Sequence, residues 1–147
     1  MKTWGIVLGC AVLVACSGPA RGRRRLPRFQ VETDSELYED AVSAAAEWSM
    51  ALGHEIEVSP TGNIPIYYVK ALEESCGGEG TWGCAYTDSI EVLESIPRRY
   101  QKFLLMHEMG HVIRGRRGHI EHNDMAIMAT PTKGRVITSD DVEFVME

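Results

Sequence analysis

The chain has 147 residues, 44% of them apolar and 24% charged, with a formal net charge of −6. That length and balance fit one globular domain. They exclude a membrane-spanning helix, since no run of roughly 20 apolar residues occurs. Neither a low-complexity tract nor an internal repeat is present, which excludes disorder and repeat architectures.

Lys2 is followed by an apolar stretch, Trp4 to Val14, too short to cross a bilayer and matched to the core of a signal peptide. It ends in Leu13-Val14-Ala15-Cys16, which resembles the bacterial lipobox. The resemblance implies that residues 1–15 are cleaved and that Cys16 is lipidated, anchoring the mature chain in the bacterial cell envelope. Ser17 rather than Asp follows the cysteine, as in lipoproteins sent to the outer membrane where the cell is Gram-negative. Residues 16–28 read as a basic tether carrying Arg21, Arg23, Arg24, Arg25 and Arg28. Beside a membrane each such charge contributes about 1 kcal/mol of attraction to anionic headgroups. From Phe29 onward 9 Lys and Arg stand against 21 Asp and Glu, so the body carries −12. This acidity argues against nucleic acid as a partner.

The first predicted helix follows Asp34-Ser35, with Leu37, Ala41, Ala45, Trp48 and Leu52 on one stripe. Thr33 with Glu36 forms a candidate capping box, and Gly53 suits a left-handed stop. Strands are predicted at Glu55–Val58, Ile64–Val69, Trp82–Tyr86 and Ile90–Leu93, from their Ile, Val and Tyr content between turn residues. Cys76 and Cys84 flank a Gly-rich loop. In an exported protein a lone close pair is most simply a disulfide. Ser95 and Pro97 open a second helix running to Ile113, with Gly115 as its stop. Apolar residues surround that helix almost completely, so it is expected to lie buried under the sheet. A last helix starts at about Ser139, capped by Thr138 or Ser139, with Val142 and Val145 facing inward.

The second helix carries His107-Glu108-Met109-Gly110-His111. Positions four apart on a helix differ by about 40° in azimuth, so both imidazoles can meet one metal ion. Glu108 lies off that line by about 60–100°. Its carboxylate stands beside the metal without binding it, where it can take a proton from metal-bound water. Two neutral nitrogen donors with an open position suit zinc. A polar trio on an otherwise apolar helix is costly to bury without partners, which adds to the specificity of the motif.

This run resembles the metzincin metallopeptidases, whose signature is H-E-x-x-H-x-x-G-x-x-H followed by a methionine turn. Ala126-Ile127-Met128-Ala129-Thr130-Pro131 is similar to that turn. The close match covers residues 107–128, and the order of elements extends it over most of 29–147. The resemblance implies an α+β, zincin-like fold over residues 29–147: a small mixed β-sheet packed on a buried zinc-binding helix, then the Met-turn and a C-terminal helix. Met128 would pack beneath the zinc. The chain departs from the pattern at Arg114, which stands where the family has its glycine, with Gly115 one place later. The family's third-ligand position is Arg117, which stays protonated and cannot coordinate. Gly118-His119 supplies a histidine eight residues after His111, a pairing also similar to small bacterial matrixin-like proteins. His119 is therefore the leading third ligand, with His122 as the alternative and Glu121 and Asp124 behind them.

The resemblance also implies a peptide or protein substrate laid as an added strand along Gly80–Thr87, a rim that a Cys76–Cys84 bridge would stiffen. The expected activity is zinc-dependent hydrolysis of peptide bonds at the cell envelope, with zinc on His107, His111 and His119 and Glu108 activating the water. The competing expectation is a non-catalytic zinc-binding lipoprotein that keeps the metzincin fold to bind a partner. The irregular third-ligand spacing favours it, as does the lack of room for a folded pro-domain between Cys16 and the first helix.

Overall fold

A computed structural model describes residues 25–76, 80–115, 118–130 and 133–147. The signal segment and Cys16 lie outside the described residues. In chain order the elements are β1 (Phe29–Gln30), α1 (Tyr38–Leu52), β2 (Val58–Ser59), β3 (Ile64–Val69), a 3-10 turn (Glu74–Cys76), β4 (Gly83–Ala85), β5 (Ile90–Leu93), α2 (Arg98–Arg114) and α3 (Ser139–Met146). The strands form one mixed sheet in the order β2-β1-β3-β5-β4, and β4 at the edge is its antiparallel member. The α+β expectation holds. Among the described residues no helix is long and apolar enough to cross a membrane.

Alternation along the strands decides which face is covered. Ile64, Ile66, Ile90 and Val92 point to the helices and are buried, whereas Tyr67 and Glu91, paired in register, lie on the other face. Against the buried face pack Ala41, Ala44, Ala45 and Trp48 of α1 and Leu105, Met106 and Met109 of α2. Small alanines let α1 approach α2 closely. Trp48 closes the contact, fully buried and donating its indole N–H to the Met106 carbonyl at 2.7 Å. Truncating it would cost about 3–5 kcal/mol. The buried Gln101 is satisfied on both sides: it accepts from Tyr68 Oη at 2.8 Å and donates to the Glu36 carbonyl at 3.2 Å.

Several boundaries move for tertiary reasons. No capping box forms at Thr33 and Glu36; α1 starts after Leu37, which makes no side-chain cap. Leu37 is fully buried, and the chain reaches it through turns in which Ser35 Oγ accepts the Leu37 N–H at 3.2 Å. The strand expected at Glu55–Val58 is confined to Val58–Ser59, because its partner β1 offers only Phe29 and Gln30. Local pattern did not announce β1, whose two residues pair on both sides. At the last helix Thr138 is the cap, in a capping box with Asp141. Val145 faces inward as expected, but Asp141 rather than Val142 takes the other buried position.

Candidate metal centre

Three imidazoles converge where α2 meets the loop before α3. His107 and His111, one helical turn apart on α2, bring their Nε2 atoms to 3.1 Å. His119 comes from the loop and places its Nε2 3.2 Å from that of His107. One ligand atom from each lies within 4.8 Å of the other two, so the trio could hold a metal ion. The two helical histidines are half-buried and His119 is exposed, which leaves the cluster open to solvent on one side.

The environment sets which atoms face the centre. His107 Nδ1 lies 2.7 Å from the Ile127 carbonyl, which can only accept, so the proton sits on Nδ1 and the Nε2 lone pair faces His111 and His119. Burial lowers the His107 pKa from 6.5 to about 4, a larger effect than the opposing carbonyl bond. Burial also lowers that of His119. Burial thus disfavours the charged imidazolium at His107 and His119, which favours the neutral form that a metal needs.

Glu108 reaches the edge of the sheet. It is 6% exposed, and its carboxyl accepts the backbone N–H of Ala85 on the edge strand β4. Burial pushes its pKa up to about 8, against the lowering effect of that bond. Burial, strand and helix therefore meet at this one acidic group.

Beneath the histidines the packing is dictated by Gly110. A methyl group there would overlap the Met128 sulfur and come within 3.0 Å of Trp48. Met128 is fully buried in that space; Pro131, at the end of the Ala126–Pro131 segment, lies outside the described residues.

Sequence reasoning missed the residue that holds this segment in place. Asp141, fully buried, accepts the Met128 N–H through Oδ1 at 2.8 Å. Its Oδ2 accepts the Ile127 N–H at 3.1 Å and the Thr138 N–H at 2.7 Å. One carboxylate thus caps α3 and aims the Ile127 carbonyl at His107. The Thr-x-x-Asp spacing of 138 and 141 is a local signal for a capping box; nothing local signals the two amides across the loop.

The remaining candidates separate clearly. His122 is 77% exposed in its side chain and lies 3.6 Å from Asp140, outside the trio. Asp124 pairs with Lys133 at 2.6 Å, and Glu121 is exposed. Cys76 and Cys84 form the expected disulfide, with Cα atoms 5.7 Å apart. Trp82 stacks on Tyr100 at the rim, with ring centroids 5.2 Å apart. Arg116 and Arg117 lie outside the described residues.

Fold and site together define an α+β domain whose partly buried second helix and following loop bring together three histidines that could hold a metal ion, beside a buried glutamate. No family profile matches the chain, and no curated protein matches it in sequence.

Proposed function

We propose that the protein is a zinc-dependent metalloendopeptidase with a zincin-like fold, held at the bacterial cell envelope through a lipid on Cys16. The convergence of His107, His111 and His119 carries this reading. Two nitrogens each about 2.05 Å from a tetrahedral zinc lie roughly 3.3 Å apart. The Nε2 separations of 3.1 and 3.2 Å fit that spacing. Lone pairs turned inward and a depressed His107 pKa mean that protons compete weakly for the same atoms. When bound, zinc supplies a Lewis acid that polarises the scissile carbonyl and acidifies water.

The chain's own residues supply the rest. Glu108, next to His107 on the same helix, takes the proton of the attacking water and delivers it to the leaving amine. Ala85 orients that carboxyl through its N–H. The free side of edge strand β4 offers backbone groups to an extended peptide, which would add to the sheet as another strand. The Cys76–Cys84 bridge ties this rim to the preceding turn.

A second reading, a non-catalytic zinc-binding lipoprotein that uses the fold to bind a partner, draws on Glu108 itself. In the metal-free chain burial pushes this carboxyl up to about 8, so it is mostly protonated at neutral pH and is not a base in that state.

Zinc content and casein cleavage, measured on the full chain in detergent and on Glu108→Ala, decide between the two. The expected result is about one zinc per chain in both proteins. Cleavage should fall by about 10²–10⁴-fold in the variant. Zinc without cleavage in the wild type would favour the second reading, and a folded chain that takes up no zinc would remove both.

A further inference from the structure

Arg114 stands where the metzincin pattern has a glycine, yet its side chain is only 9% exposed. Its guanidinium carbon lies 3.5 Å from the centroid of the Phe144 ring, and Nη2 lies 3.7 Å from Glu147 Oε2. The third side of the guanidinium faces the loop: a Cβ built on Gly118 would come within 3.0 Å of Nη1. Gly118 has φ 128, a conformation that L side chains rarely adopt. The backbone directly before His119 therefore lies against Arg114, in a shape only glycine accepts easily.

The residue after His119 is fixed as well. Ile120 donates its N–H to the Met128 carbonyl at 3.0 Å and forms a parallel bridge with Ala129. His119, the exposed member of the trio, thus stands between two held residues. It shares a cleft of about 490 Å³ with Phe144 and Glu147 of the α3 region.

We infer that Arg114 is a positioning residue for the third metal ligand. Gripped by Phe144 and Glu147, its guanidinium holds the Gly118 backbone and so presents His119 to His107 and His111. A planar guanidinium can stack on a ring, pair with a carboxylate and abut a backbone at once, which an ammonium cannot. The inference rests on the reading of His107, His111 and His119 as a metal centre, and it assigns a use to the residue by which this chain departs from the pattern.

The test is metal affinity, read with zinc by chelator competition and with cobalt by its visible absorption, on the metal-stripped full chain. Arg114→Ala should weaken zinc binding by about 10–100-fold and shift the cobalt spectrum towards that of His119→Ala. In a His119→Ala background the same substitution should cause no further loss, because its effect runs through His119. Phe144→Leu, which keeps apolar volume and removes the stack, should give a smaller loss in the same direction and stands in if Arg114→Ala does not fold. Wild-type affinity in Arg114→Ala, or in Phe144→Leu where it stands in, would overturn the inference. So would an equal loss in both backgrounds, which would mark a general structural role. A wild-type chain that binds neither metal would overturn the metal centre itself.

Discussion

The two halves of the centre are built by different means. His107, Glu108 and His111 ride on α2, whose C-terminal half packs against the core shared with the sheet and α1, and each of the first two is oriented by a backbone group of another element. His119 rides on a loop, is exposed, and owes its place to the residues on either side of it. A helix fixes the relative position of residues four apart through its own hydrogen bonds, so that half needs only to be buried and aimed. A loop has no such internal ruler, and its ligand must be set by contacts from elsewhere.

The comparison breaks most easily at Asp141. Asp141→Ala leaves the buried Ile127 and Met128 N–H groups without acceptors. At about 1–3 kcal/mol for each group plus the lost cap, the expected destabilisation is about 4 kcal/mol in denaturant unfolding. The Ile127 carbonyl would lose its aim, so zinc affinity should fall too. Stability unchanged by this substitution would show that the loop holds itself.

Gly110→Ala tests the helical half from inside. The added methyl must displace Met128 and Trp48, and overpacking of this kind costs about 1–3 kcal/mol. Thermal unfolding of the metal-free chain measures it.

Titration of the metal-free chain sharpens the comparison, because the two buried groups on α2 act with opposite sign. The folded pKa of Glu108, about 8, exceeds its ordinary 4.5, so its contribution is present below 4.5 and is lost as pH rises to about 8. The folded pKa of His107, about 4, lies below 6.5, so stability is lost as pH falls from 6.5 towards 4. Between 4.5 and 6.5 the two offset each other; above 6.5 Glu108 remains. Because His107 titrates alike in both proteins, Glu108→Gln should gain on the wild type by about 1 kcal/mol per pH unit between 4.5 and about 8. Denaturant melts with chelator at both ends of that range check it; parallel curves would place an ionised Glu108 in the folded chain.

The smallest effect is expected at the loop. His122→Ala should leave zinc affinity unchanged, since His122 turns to Asp140 rather than to the trio. Chelator competition beside His119→Ala separates the two histidines.

Much of this was legible before any coordinates. The periodicity over Tyr38–Leu52 and Arg98–Arg114, the strands Ile64–Val69 and Ile90–Leu93, and the pairing of Cys76 with Cys84 follow from side-chain pattern and short spacing. The i, i+4 placement of His107 and His111 belongs to the same class, since one helical turn relates them. What local pattern did not hold was β1, whose two residues are a strand because β2 and β3 flank them. Nor did it hold the choice of His119 over His122, the close approach of Arg114 to Gly118, or the reach of Asp141 across the loop to Ile127 and Met128. The sequence by itself determined the longer elements and the helical half of the centre, because those depend on neighbours within one turn or one strand. Only the tertiary structure decided the loop half, because a loop residue's position is set by burial and hydrogen bonds to residues distant in the chain.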